Sequence, residues 1–413
     1  MAPKAVVYSL LLSISIIAAS CGQVTETGQQ AVVPSQQRVA PEPDVNMQYT
    51  WRATPDSLHF YLFFYDVSRL EELQRTASSL SYQVNGESKN VLLRDTLKIT
   101  RQAAAENKDG VWLNIVLPKQ VVANKTTLQL KLWQKFAGES SLNSAFRIEL
   151  QPGMLNKTAV LVNAGTNKPV IQGYITASDS LVLESPDTAN AMQVYYFATE
   201  FTPALPPMSQ RTVAQPRTIQ PQDSLAIVAR NITTLPKEGL YLLWAGTPYA
   251  KGLLVEPHNY PMVTMAKEML HPLIYLTTSV EREKLFKASD PKKAVDDFWL
   301  SVAGERHLAR ELIRTYYGRV EHANKLYTSH KPGWTTDRGM IYMVYGPPSD
   351  ISRIGNTETW IYRESDMQPY TKFVFTKKQN NFTENHYELI RRREYEESWY
   401  SAVAKWRAGI TDM

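Results

Sequence analysis

Four side chains in the last third of the chain are the best placed to do chemistry. Asp337 and Arg338 stand together in the run 333–339, which reads Gly333, Trp334, Thr335, Thr336, Asp337, Arg338, Gly339. Tyr342 follows closely and His386 lies further on. A carboxylate beside a guanidinium, with a phenol and an imidazole brought in by folding, is an acid–base set from which a hydrolase of glycan or peptide can be built. The same run has a complete structural reading. Gly333 after Pro332 permits a sharp turn out of a helix. Trp334 fills a helix–sheet seam. Thr335, Thr336 and Asp337 cap backbone N–H groups. Arg338 forks onto a carboxylate such as Asp337 or Glu358. Gly339 lets a strand start close against a neighbour. The junction reading accounts for every residue of the run and outweighs the pocket reading, which rests on Asp337, Arg338, Tyr342 and His386.

Other chemistry is sparse. The histidines His59, His258, His271, His307, His322, His330 and His386 form no HExxH pattern and no i,i+4 metal pair. Glu321 and His322 are adjacent and are expected to face different ways on a helix. Nucleophile elbows, phosphate loops and Ser-x-x-Lys sets are missing from the sequence. The neighbouring carboxylates Asp296 and Asp297, and Glu396 and Glu397, sit on helical patterns as solvated faces. Cys21 is the single cysteine, which leaves no disulfide, zinc thiolate cluster or second thiol. Neither a metal nor a cofactor is expected.

The pattern along the chain predicts a multidomain protein, two all-β sandwich-like domains followed by an α+β C-terminal domain with helices first and an antiparallel sheet after. The first β domain spans 47–150. Its strand signals are the aromatic run 58–65, 81–84 before the turn pair Asn85 and Gly86, 91–93, 111–117, 127–133 with period two, and 145–150. The second spans 151–256, with strands expected at 160–162, 170–175, 180–183, 193–197, 224–228 and 240–244 and a Pro-rich loop at 201–221. In 257–413 helical patterns occupy 266–270, 280–287, 291–302 and 306–329. Pro291 after Asp290 marks a helix start, and Leu308, Leu312, Tyr316, Val320 and Ala323 form one buried stripe. Strands are expected at 339–345, 358–363, 371–376 and 385–390, then a closing amphipathic helix at 393–407.

The N-terminus reads as a lipoprotein signal peptide, 1–20. Lys4 supplies the positive end, 6–19 the short apolar core, and Ala18, Ala19 and Ser20 the cleavage site ahead of Cys21, the lipidation residue. Ala18 stands where leucine is usual. Residues 21–46 are a polar, Pro-containing tether. No aspartate follows Cys21 closely, so the expected location is the outer membrane, held through a lipid anchor. Net charge is +5, from 45 Lys and Arg against 40 Asp and Glu, and is spread out. That excess argues against a nucleic-acid partner, and envelope proteins are the expected ones.

The run 333–339 is continued by Ile341, Tyr342, Tyr345, Gly346, Pro347, Pro348, Thr359, Trp360, Ile361 and Tyr362. Upstream stand Phe298, Trp299, Tyr316, Tyr317, Ala323 and Asn324. This set, in this order, resembles the GWxTD-domain proteins of bacterial envelopes, and the β domains before it are similar to those of Bacteroidota members. The resemblance covers about the last third of the chain. It implies an envelope lipoprotein and carries over no catalytic residue. Triplets of Asp, Ser or Thr, then Leu or Ala place candidate O-glycosylation sites at Ser57, Thr96, Ser180, Thr188 and Ser224, where composition alone predicts about one such triplet. They look like the sequon used on exported proteins of Bacteroidota. The competing reading is that they mark turns before strands.

The expected function is therefore a non-enzymatic accessory or protein-interaction subunit of an envelope assembly. The alternatives are a cell-envelope hydrolase with its site near Asp337, Arg338, Tyr342 and His386, and a glycan-binding module using exposed aromatics such as Trp112 and Trp133.

Overall fold

A computed structural model describes residues 46–65, 76–99, 110–122, 124–136, 139–189, 191–198, 200–210, 219–363 and 370–410. The signal peptide, Cys21 and the tether up to residue 45 lie outside the described residues, and Asn46, expected as its last residue, already belongs to a strand.

The first β module contains β1 (Asn46–Ala53), β2 (Ser57–Tyr65), β3 (Ala77–Asn85), β4 (Val91–Lys98), β5 (Val111–Pro118), β6 (Thr126–Phe136) and β7 (Glu139–Leu150). They form two antiparallel sheets, β1-β2-β5 and β4-β3-β6-β7. Alternate residues of each sheet meet in one core: Leu58, Phe60, Leu62 and Phe64 against Leu80, Val84, Leu128, Leu130 and Leu132. The turn pair Asn85 and Gly86 does open the β3–β4 hairpin, but the loop runs on to Asn90, with Gly86 N donating to Asn90 O.

The second module contains β8 (Val160–Asn163), β9 (Lys168–Pro169), β10 (Tyr174–Thr176), β11 (Ser180–Glu184), β12 (Ala191–Phe197), β13 (Asp223–Val228), β14 (Ile232–Thr234), β15 (Gly239–Leu243) and β16 (Lys251–Glu256). Its sheets are β10-β16-β15-β12-β13, where β10 runs parallel to β16, and β14-β11-β8-β9. Leu181, Leu183, Val194, Ile227, Tyr241 and Leu253 fill the space between them.

The last part is α+β, as the sequence predicts. Its helices are α1 (Ala266–Leu270), α2 (Ser279–Phe286), α3 (Pro291–Ala303), α4 (Arg306–Tyr327), α5 (Asp337–Tyr345) and α6 (Tyr395–Arg407). Asp290 caps α3 by accepting from Lys293 N, and Gly304 ends it in the left-handed region. Thr278 and Glu281 make a reciprocal capping box on α2. The antiparallel sheet β17 (Asp350–Ile354), β18 (Thr357–Tyr362), β19 (Thr371–Lys377) and β20 (Tyr387–Leu389) packs on α4, α5 and α6. Trp299, Trp360, Trp406, Tyr316, Phe373 and Phe375 are fully buried there.

Two expectations fail: the strand predicted at 170–175 is present only as Tyr174–Thr176, and one element changes type. The strand predicted at 339–345 is helix α5. Met340, Ile341, Met343 and Val344 are all buried, so the stretch has no polar face, and an apolar run of this length has no period that separates strand from helix. The Thr336 side chain decides for the helix by accepting from Gly339 N as its N-cap. The sheet keeps four strands because β17, a largely polar edge strand, takes the empty place.

Candidate functional site

The run 333–339 begins as a 3-10 turn, Gly333–Thr335, and passes into α5. Both glycines are needed for close backbone approach. A Cβ on Gly333 would lie 1.9 Å from Ala323 O on α4, and one on Gly339 would lie 1.9 Å from Gly333 O. Thr335 and Thr336 hydroxyls donate back to Pro332 O and Gly333 O. Asn324 of α4 accepts from Trp334 N at 3.0 Å and donates to Pro261 O. Thr328 Oγ1 accepts from Gly333 N and contacts the Tyr260 hydroxyl. At the other end of α5, Arg319 Nη1 donates to Met343 O and Val344 O, and Trp406 Nε1 to Val344 O, so the last carbonyls find partners.

Asp337 and Arg338 point into separate networks. The Asp337 carboxylate accepts from Leu389 N at 2.7 Å and from both terminal nitrogens of Arg391 at 3.1 and 2.5 Å. Arg391 also donates to Leu205 O in the loop that follows β12. Arg338 donates to Glu358 Oε1 and to Asn385 O and Oδ1, and its guanidinium lies over the rings of Tyr327 and Tyr387. Glu358 is 2% exposed and also accepts from Arg353 and Trp360. Burial pushes the Glu358 carboxyl up, but Arg338 and Arg353 outweigh it and hold the group below its ordinary value.

The other two residues of the candidate pocket are engaged elsewhere. The Tyr342 hydroxyl is 3.4 Å from His322 Nδ1 on α4. His386 Nε2 is 3.4 Å from Glu388, and its ring meets His330 edge-on at 4.9 Å. His330 is driven down to about 3 by burial, with His386 and Lys331 adding to the effect. Thus Asp337, Arg338, Tyr342 and His386 each have a different set of partners. The signal for Arg391 was present in the run Arg391, Arg392, Arg393, but nothing local says which carboxylate it meets.

An open space lies beside this junction. A cleft of about 540 Å³ is lined by all three parts of the described chain. Gln48, Phe63, Tyr65 and Trp112 come from the outer face of β1-β2-β5. The segment 163–179 supplies a second wall, and Tyr260, Glu321, His322 and Lys325 a third. Glu321 and His322, expected on different faces, both border it, because neighbours on a helix differ by only about 100° and the cleft is broad. Tyr65 connects the cleft to the motif: burial pushes its phenol up to about 12 even though Arg338 and Arg353 act in the opposite direction.

Among the candidate glycosylation residues, Thr96, Thr188 and Ser224 are exposed, and Ser57 and Ser180 are half-buried at the starts of β2 and β11. Trp112 borders the cleft, while Trp133 donates to Ser81 Oγ on the other sheet of its module. Among the described residues no three His, Cys, Asp or Glu side chains gather as a metal set, and no helix is long and apolar enough to cross a membrane.

Comparison with curated proteins finds no match. The family model of the GWxTD domain matches residues 239–408, which takes in β15, β16 and everything from there to α6. Gly333, Asp337 and Arg338 lie inside that match, and the chain carries a GWxTD domain at residues 239–408.

Proposed function

We propose that this protein is a lipid-anchored outer-membrane protein of Bacteroidota type, and that its folded part is a protein-interaction subunit of an envelope assembly. Lipidation at Cys21 supplies the anchor, and residues 22–45 hold the β modules off the bilayer. Acylation with several chains gives a far firmer hold than one chain.

The observation that carries the interaction reading is the apolar exposure in the first helical stretch of the GWxTD domain, 265–286. Met265 is 59% exposed, Val280 79% and Phe286 42%. These three come from one short stretch, 265–286, and exposed apolar side chains that share a surface mark partner contacts more often than chemistry. The run 333–339, by contrast, spends its side chains on partners within the chain.

Two measurements test the proposal. Metabolic labelling with a radioactive fatty acid should mark the wild-type protein and leave the Cys21→Ser variant unlabelled and free of the membrane fraction. Cross-linking in intact cells, followed by gentle solubilisation, should recover fixed envelope proteins with the wild type. The pair Val280→Asp and Phe286→Asp should lose them. Recovery of the wild type alone under every solubilisation condition would remove the interaction reading, and a labelled Cys21→Ser variant would remove the anchor.

A further inference from the structure

We propose that the cleft between β1-β2-β5, the segment 163–179 and α4 is a binding site for a short neutral saccharide, with Trp112 as its stacking platform. The inference goes beyond the anchoring and assembly role and does not depend on it.

Strands β2 and β5 present an aromatic wall to the cleft. In β2 the residues Leu58, Phe60, Leu62 and Phe64 face the sandwich core, and Phe63 and Tyr65 face outward. Register places Gln48, Phe63 and Trp112 side by side across three strands. The rings form a continuous row. Phe63 stacks with Tyr65 at 5.5 Å and meets Trp112 at 4.7 Å. Phe63 is 4% exposed, so it serves as the spacer that fixes the two outer rings. An aromatic row of this kind on an outer sheet face offers flat apolar area inside an otherwise polar recess. Pyranose rings match that surface, because their axial C–H groups carry partial positive charge and the indole face is negative. Lys168 Nζ already lies over the Trp112 ring at 5.9 Å, which shows that face attracting positive charge in this structure.

The polar lining suits a hydroxyl-rich ligand. Gln48 Oε1 is buried with no hydrogen-bond partner, and an acceptor in that state gains from any hydroxyl donor that reaches it. The charged side chains along the cleft are two of each sign, Lys168 and Lys325 against Asp179 and Glu321. Lys325 pairs with Glu321 at 2.8 Å. Asp179 accepts from Asn163 Nδ2, Thr176 N and Thr176 Oγ1 at 2.9, 2.7 and 3.0 Å. A ligand entering here meets fixed dipoles and balanced charges rather than a field of one sign. That favours a neutral, hydroxyl-rich molecule over a phosphorylated or strongly charged one.

Size and position fit a small ligand as well. About 540 Å³ lies within the range of small-molecule sites, and sites of this kind favour the junctions between domains. Three separate parts of the chain close on this space, so occupancy would also tie them together.

The test uses the full chain purified in detergent, with tri-N-acetylchitotriose and maltotriose as probes, followed by intrinsic tryptophan fluorescence and calorimetry. At least one trisaccharide should bind with a Kd of about 1 mM or tighter. Trp112→Ala should weaken binding by roughly tenfold or more, and Trp112→Phe should weaken it less. Trp133→Ala, on the opposite sheet, should leave it unchanged. The affinity should not fall between about 0.05 and 0.5 M NaCl. If Trp112→Ala fails to fold, Gln48→Leu reads the same site by removing the free acceptor. The proposal is overturned if neither trisaccharide binds, if Trp112→Ala and Gln48→Leu both bind as the wild type does, or if the probes fail while a tryptic peptide mixture binds in a Trp112-dependent way.

Discussion

Asp337 and Arg391, 54 residues apart in sequence, form a two-point ion pair that joins the start of α5 to the segment following β20. Leu389 N donates to the same carboxylate, and Nη2 of Arg391, which binds Asp337, also donates to Leu205 O. One carboxylate therefore holds a helix start, a strand end and, through arginine, a loop of the preceding β module. Asp337 is 8% exposed, so its charge is stable there only while these donors remain. Asp337→Asn should lower unfolding stability by about 2–4 kcal/mol in urea titrations, because Arg391 loses its counter-charge. Asp337→Asn with Arg391→Met should cost less than the two single changes summed. An Asp337→Asn variant as stable as the wild type would show that the pair is not a structural tie, and would return Asp337 to the list of candidate functional groups.

The motif glycines make a sharper prediction. Gly339→Ala puts a methyl group 1.9 Å from a backbone carbonyl oxygen that belongs to the turn itself. No rotamer relieves that contact. The variant should lose about 3 kcal/mol or more, or fail to accumulate as folded protein. Gly153→Ala, with nothing within 4 Å of the new atom, should stay within about 0.5 kcal/mol of the wild type. Circular dichroism melts of the two variants decide it, and equal melts would refute the close-approach argument.

Acid should weaken the fold through His330. Its folded value is near 3, below the ordinary 6.5, so the unfolded chain binds the extra proton between those limits. The stability is fully present above pH 6.5 and declines as pH falls toward 3. Over pH 6.5 to 4.5 the loss should be about 2–3 kcal/mol. His386, Lys331 and Glu388 surround the ring electrostatically. Glu358, whose carboxyl is held low, adds a further loss only below its ordinary 4.5. Urea unfolding at several pH values, compared with His330→Asn, isolates the effect. Parallel curves for the two proteins over that window would sink the assignment.

The Asp-Ser/Thr triplets can be settled by mass. Thr96, Thr188 and Ser224 are exposed and reachable by a transferase, while Ser57 and Ser180 are half-buried in strand starts. Glycosylation predicts an intact mass above that of the mature chain, with peptides around Thr96, Thr188 and Ser224 carrying the excess. A mass matching the bare lipidated polypeptide would leave these triplets as turn signals, as at Asp179, which accepts from Thr176 N before β11.

Local physics made much of the architecture legible. Period two in β6 put Leu128, Leu130 and Leu132 on the core face. Asp290 and Pro291 announced α3 because the cap and the fixed φ of proline act within a single turn. The stripe Leu312, Tyr316, Val320 and Ala323 was readable on α4 because a helix buries one face at a fixed step. The misread segment 339–345 is buried on every side, which erases the period that distinguishes helix from strand. β17 escaped notice for the opposite reason: an edge strand leaves most of its side chains in water and needs no apolar alternation.

The amino-acid sequence by itself determined the β-then-α+β order, the helix caps and the identity of the GWxTD run, because each depends on residues within a few positions of one another. Only the tertiary structure decided what that run is attached to. Asp337 had several arginines to choose from and met Arg391; Arg338 met Glu358 and the Asn385 carbonyl. Such pairings depend on which distant segments the packed core brings together, and charge type alone does not rank them. The same holds for the cleft beside Trp112, whose three walls are far apart in the chain and become one surface only when the modules close on each other.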